Sequence, residues 1–203
     1  MALEDYNKKR NFKETSEPEG KEKESSKRLK FVIQRHAASR LHYDFRLEMD
    51  GVLKSWAVPK GPSLNPSDKR LAMMVEDHPF AYRTFEGSIP KGNYGAGEVE
   101  IWDEGTYEPI EKVKDKSDDL VMRAELHKQS LKFILHGKKL KGEFALVKIK
   151  NPKEDNAWLL IKHKDKYAVD KDYNAEEYTL KNSKVTAYLT EKDGKKKITH
   201  PKE

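Results

Sequence analysis

The chain has 203 residues, no cysteine and a formal charge of +6, from 41 Lys and Arg against 35 Asp and Glu. That length suits one well-filled domain with ragged ends and leaves little room for two. The missing cysteine excludes disulfides, thiolate-bound zinc and thiol catalysis, no run approaches the roughly 18 apolar residues of a membrane span, and the modest positive charge favours a phosphate-rich partner without requiring one.

Residues 1–30 mix basic and acidic side chains around Pro18-Glu19-Gly20 and Ser25-Ser26, the composition of a charged arm that orders only against a domain or a ligand. Nothing in it resembles an apolar signal segment, so the expected compartment is the cytoplasm, in association with the nucleoid. Phe31 to Gln34 reads as the first core strand, and Ala37 to Arg40 as a connector. Tyr43, Phe45, Leu47 and Met49 then alternate with His42, Asp44, Arg46 and Glu48, and Asp50-Gly51 leads into Val52 to Val58, a hairpin signal. A loop over Pro59 to Pro66 carries Lys60. Arg70 to Val75 reads as a strand that ends at Glu76-Asp77-His78-Pro79, with His78 held extended before proline.

Residues 86–97 are glycine-rich but match no nucleotide-binding spacing, and read as a wrapped loop. Glu98 to Trp102 is a strand, followed by a short turn and Gly105 to Tyr107. Residues 111–129 read as a short helix or a long loop, Leu131 to Ile149 as a hairpin around Gly137 to Gly142, and Trp158 to Lys162 as the last strong strand. Tyr178 to Leu189 can pack locally, residues 191–203 read as a charged tail, and Gly194 to Glu203 is expected to fray. Eight or more short strands with one or two minor helices predict a mainly β fold, a small closed β-barrel over residues 31–190.

Chemistry concentrates on the polar face of the first hairpin. His36, His42, Asp44 and His78 offer imidazole and carboxylate ligands for Zn²⁺ or Mn²⁺, a set that does not choose between the two ions. Arg46, Lys60 and Arg70 supply the cations of an anion site beside them, and Tyr82 can contact phosphate through its hydroxyl. Glu48 and Glu76 each suit either orienting a histidine or arginine or facing solvent, with solvent preferred for Glu48, and His127, His136, His163 and His200 show no ligand spacing with an acidic partner and read as surface histidines. A nucleic-acid end-binding barrel without catalysis explains the same charge and aromatic content.

The run from Phe31 to His36, then Arg40-Leu41-His42-Tyr43-Asp44-Phe45-Arg46-Leu47-Glu48, then Asp50 to Pro62, resembles the 3′-phosphoesterase domain of the bacterial DNA ligase D end-joining enzymes. Glu76 to Pro79, Phe85-Glu86-Gly87 and Tyr94 to Gly97 continue the likeness. The resemblance implies a small β-barrel and Mn²⁺-dependent processing of DNA or DNA/RNA primer-template 3′ ends. In it, a phosphodiesterase step removes a 3′-terminal ribonucleoside and a phosphomonoesterase step removes the phosphate left behind. It implies His36, His42 and Asp44 as metal ligands, Arg46 and His78 on the scissile phosphate, and Lys60, Arg70 and Tyr82 as supporting phosphate-side residues. It further implies that the arm contributes through Arg10, Phe12, Thr15, Glu17 and Pro18, with Asn11 where the family pattern has aspartate, a departure whose cost falls on the diesterase step. End-joining ligase, polymerase and end-binding proteins are the implied partners, and a stand-alone monomer is expected.

Overall fold

The computed structural model describes residues 3–21, 23–150 and 154–198. Its strands are β1 (Lys30–Ala37), β2 (Leu41–Met49), β3 (Val52–Val58), β4 (Lys69–Pro79), β5 (Gly87–Ile89), β6 (Gly97–Pro109), β7 (Ser130–Gly137), β8 (Lys141–Lys148) and β9 (Ala157–Lys162). All pair antiparallel with their neighbours in the order β1-β2-β3-β4-β9-β8-β7-β6, and β6 returns to β1, so eight strands close a barrel while β5 hangs on β6 outside it. Closure leaves the barrel without a free edge. The predicted small closed barrel is the fold observed.

The period of two in β2 sends Tyr43, Phe45, Leu47 and Met49 inward. There they join Phe31 and Ile33 of β1, Trp56 and Val58 of β3, and Phe133 and Phe144 from the far wall in one buried core. The Phe45 and Phe133 rings lie 5.9 Å apart and those of Phe133 and Phe144 6.4 Å apart. Burying one such side chain contributes about 1.5–3 kcal/mol, so the inner faces alone hold these strands in register.

What departs from an ordinary barrel is the outer wall of β1 and β2, which is also almost wholly buried. The N-terminal arm lies across it. Leu3 and Tyr6, beside and within α1 (Glu4–Lys8), form a second apolar cluster with Val52, Leu53, Tyr82, Phe85, Ile89 and Val99, and the Tyr6 hydroxyl donates to Pro18 O at 2.7 Å. The expectation of a solvent-facing Glu48 is therefore wrong. Glu48 is fully buried and accepts the backbone N–H groups of Ser26 (2.7 Å) and Lys30 (2.9 Å), because the returning arm turns an outer-wall position into an interior one.

β4 continues through His78 to Pro79, so His78 is held extended at the strand end, as expected. Two further expectations are corrected. The glycine-rich loop includes the short β5. β6 runs unbroken where a turn was expected near Gly105, since a Cβ there would meet His136 O at 2.2 Å; this glycine serves a close strand approach. The ambiguous 111–129 stretch holds α2 (Asp118–His127), capped by Ser117 Oγ accepting Leu120 N–H and anchored by buried Val121 and Met122.

The fraying expected from Gly194 is not seen as far as residue 198: α3 spans Lys184–Ile198, and residues 199–203 lie outside the described residues. Three α-helices are present among the described residues, one more than expected. Buried Arg35 ties this segment to β1 by donating to both carboxylate oxygens of Glu176 (2.8 and 2.6 Å) and to Glu100 (2.9 Å), and Lys192 Nζ reaches Ala38 O (2.8 Å) in the β1–β2 connector. Among the described residues no helix is long and apolar enough to cross a membrane.

The β2–β3 turn is the most constrained junction. Asp50 and Gly51 both have positive φ, 54° and 74°, as the tight hairpin signal requires, and the arm passes so close that a Cβ on Gly51 would sit 1.8 Å from Lys23 O. Gly51→Ala is expected to lower stability by about 2 kcal/mol or more. The check is denaturant unfolding, in which the midpoint should fall at an unchanged slope.

Candidate metal and phosphate site

The register of the first three strands assembles the site on the outer wall. His36 of β1 stands opposite His42 of β2, Gln34 opposite Asp44, and Arg46 opposite Ser55 of β3. Of these, His36, His42, Asp44 and Arg46 line a cavity of about 270 Å³ together with His78 of β4, Arg10 of the arm, Tyr82, and Tyr94 and Gly95 of the glycine-rich loop.

His36, His42 and Asp44 present ligand atoms that all lie within 4.8 Å of one another. His36 Nδ1 is 3.4 Å from Asp44 Oδ2, and His42 Nε2 is 3.6 Å from Asp44 Oδ1. Atoms bound at about 2.1 Å to one ion stand about 3–3.5 Å apart, so these spacings fit a shared divalent cation. The tautomers fit as well. His36 Nε2–H donates to Gly95 O (2.8 Å) and His42 Nδ1–H to Arg40 O (3.0 Å), which leaves a lone pair on each remaining nitrogen facing the carboxylate. Burial opposes a charge on Asp44, yet the Arg46 guanidinium beside it holds its carboxyl well below the usual carboxylate range. The group is an anion, ready to ligate.

Arg46 forms the other half. Its buried guanidinium donates to Gln34 Oε1 (2.7 Å), Ser55 Oγ (2.9 Å) and Asp44 Oδ2 (3.0 Å), with Cζ 4.9 Å from the centre of the Tyr82 ring. Every nitrogen is anchored, so the fork is rigid. Arg10 enters from the arm. Its Nε donates to Glu17 (2.9 Å), its Nη1 to Tyr6 O (3.1 Å) and Glu76 (3.3 Å), and its Nη2 to His78 Nε2 (3.1 Å). His78 Nδ1–H donates to Glu76 O at 2.9 Å. Burial, reinforced by Arg46 and Arg10, pushes the His78 imidazole well below its ordinary value, so the ring is neutral.

The other expected residues stand apart to different degrees. Tyr82 lines the cavity with its ring, but its hydroxyl is buried and donates to Glu17 Oε1 (3.0 Å); burial raises its pKa well above the ordinary value. Glu17 does not line the cavity; it sits behind Arg10 and fixes it. Lys60 and Arg70 line a separate depression with Tyr173 and Glu176, where Arg70 donates to Asp68 (2.8 Å) and Tyr173 O (2.7 Å). Asn11 Oδ1 accepts Lys13 N–H (3.3 Å), a turn contact that an aspartate would make equally. His136 and His163 do have acidic partners across strands, Glu108 at 2.8 Å and Glu143 at 3.5 Å; His200 lies outside the described residues.

Gln34 was missed as part of the site. Its oxygen accepts from Arg46, and its amide donates to Tyr82 O (3.0 Å) and Phe85 O (2.9 Å), stapling the segment after β4 to the wall. Its position two residues before His36, on the same strand face, was the available signal.

Fold and site together define a closed antiparallel β-barrel that carries a His-His-Asp centre and an arginine fork on its outer wall, under a chain-terminal arm. Residues 34–148 match the family model described as "DNA Ligase D 3'-phosphoesterase domain". The chain belongs to that family. It is 50% identical over 165 residues to the "Multifunctional non-homologous end joining protein LigD" of Pseudomonas aeruginosa, a match covering 80% of this chain and 19% of that protein. Its likeness to the protein of the same name from Mycolicibacterium smegmatis is 45% over 161 residues, 79% of this chain and 20% of that one. Against the "Multifunctional non-homologous end joining DNA repair protein LigD" of Mycobacterium tuberculosis it is 52% over 118 residues. The matched stretch thus spans about a fifth of the length of the first two relatives.

The depressed pKa of His78 carries a stability consequence. Below its ordinary value of 6.5 the unfolded chain takes up a proton that the folded chain refuses, so this contribution is complete above pH 6.5 and is lost as pH falls below it. Unfolding free energy should decline between pH 7 and 5, and His78→Asn should flatten that decline in chemical denaturation run across the same range.

Proposed function

We propose that this chain is a metal-dependent DNA 3′-end-processing hydrolase, acting as a phosphodiesterase on a 3′-terminal ribonucleoside and as a phosphomonoesterase on the resulting 3′-phosphate. The observation that carries this reading is the sharing of one carboxylate: Asp44 faces the lone pairs of two oriented histidines and, through Oδ2, the Arg46 fork. An oxygen bound between them touches a cation on each side, which suits phosphate. The family relationship supports the same reading.

His36, His42 and Asp44 are the proposed ligands for Mn²⁺, with Zn²⁺ as the alternative. Once bound, the ion supplies Lewis-acid polarisation of a phosphoryl oxygen and a nucleophile from coordinated water. Arg46 grips a phosphoryl oxygen without reorganising, since its other contacts are already made. Arg10 is the second clamp, and residues 1–30 are by this account a working part of the site. His78 begins neutral with Nδ1–H fixed on Glu76 O, so it gains a proton only at Nε2. The bound phosphate's negative charge offsets the two guanidiniums that oppose this protonation; with Arg10 Nη2 turned from Nε2 to the phosphate, Nε2 takes a proton from solvent and can pass it to the leaving oxygen. Lys60 and Arg70, in the neighbouring depression, are proposed to hold the strand backbone away from the scissile bond. The natural substrate is then a DNA or DNA/RNA primer-template 3′ end in the cytoplasm, met alongside end-joining ligase, polymerase and end-binding proteins.

Both steps share one centre. His42→Ala and Asp44→Asn should each lower nucleoside release and phosphate release by more than about 100-fold, and calorimetry should show Mn²⁺ binding lost in parallel. A variant that keeps either product refutes the shared centre. Salt-sensitive strand binding by the unaltered protein with no turnover on added Mn²⁺ points instead to a non-catalytic end-binding module.

A further inference from the structure

We propose that Tyr94 is the stacking platform for the base of the 3′-terminal nucleoside, the group that leaves in the diesterase step. The inference takes the identity of the strand from the hydrolase reading, while the placement of the ring rests on the structure. Of the large apolar side chains exposed among the described residues, Tyr94, 49% exposed, is the one that lines the candidate cavity. Its neighbour Gly95 accepts the Nε2–H of His36, so the ring is held one residue from a contact that orients a candidate metal ligand. Positive φ at Gly92 (92°) and Gly95 (77°) lets the loop turn back at that point.

The surroundings suit a nucleotide. Lys9 Nζ lies 4.8 Å and Arg10 Cζ 5.7 Å from the ring centre, so two cations stand over the ring, and Arg10 lines the cavity with it. Asn93 also reaches Glu14 of the arm at 3.4 Å. Arm and loop therefore close this side, while Arg46 and His78 lie on the barrel wall beneath. A strand whose 3′ phosphate sits on Arg46 directs its end toward the closed side and its body toward the open one, which brings the terminal base to Tyr94. A ring serving only as a seal between loop and arm would be covered by them; about half of this one remains open. Base stacking on an aromatic ring is sequence-tolerant, as an enzyme acting on arbitrary strand ends needs.

Two readouts test this. Without divalent metal, a strand ending in 2-aminopurine ribonucleoside should lose fluorescence on binding the unaltered protein, fail to do so with Tyr94→Leu, and recover the quench with Tyr94→Phe and Tyr94→Trp. With Mn²⁺, Tyr94→Leu should lower nucleoside release from a ribonucleoside-ended strand about tenfold relative to phosphate release from a separate strand that already ends in a 3′-phosphate. Equal quenching by Tyr94→Leu, no quenching by the unaltered protein, or equal loss of both products overturns the proposal; the last would make Tyr94 a support for the His36 loop. If neither product forms with the unaltered protein but quenching depends on Tyr94, the hydrolase reading fails and the stacking platform stands.

Discussion

The Asp44–Arg46 ion pair on the outer wall is the interaction on which the rest of the structure depends. Removing two charges from water costs more than their attraction returns unless the remaining hydrogen-bonding groups are satisfied. For Arg46 they are: Gln34 and Ser55 take the other two arginine nitrogens, while His36 and His42 stand 3.4 and 3.6 Å from the carboxylate oxygens. All of these residues come from three adjacent strands in antiparallel register, so the pair is positioned by the barrel core and not by the loops.

Burying that pair requires a cover, and the cover is the arm. Tyr6 and Leu3 supply the apolar anchor, Glu48 takes the backbone donors at the arm's end, and Glu17 holds Arg10 over the cavity. The same covering makes His78 neutral, by excluding water and adding Arg10 to the Arg46 guanidinium already beside it. One piece of chain thus both shields the site and adds a cation to it. The C-terminal segment braces the opposite face of β1 through Arg35 and reaches the His36–His42 connector through Lys192.

Strands whose inner face is apolar and whose outer face is polar normally meet water on the outside. In β1 and β2 both faces are buried, with two different chemistries: hydrocarbon within, a satisfied charge network without. The core sets the strand spacing, and strand spacing sets the distances between His36, His42 and Asp44. Side chains on adjacent strands hold such distances more closely than loop residues do.

Much of this was legible in the residues. The alternation of Tyr43, Phe45, Leu47 and Met49 with His42, Asp44 and Arg46 separates the core face from the polar face because β side chains have a period of two, and Asp50-Gly51 specifies its turn by backbone sterics alone. These are local rules, and the candidate metal triad lies almost entirely within their reach. The burial of Glu48, the neutrality of His78, the position of Glu17 behind Arg10 and the separation of Lys60 and Arg70 from the cavity were not legible. Each depends on which distant segment packs on the outer wall or on which way the barrel curves. Sequence by itself determined the strands, the polar face and the candidate ligands; the tertiary structure alone decided which charges are buried together, because desolvation and charge pairing are set by neighbours in space and not by neighbours in the chain.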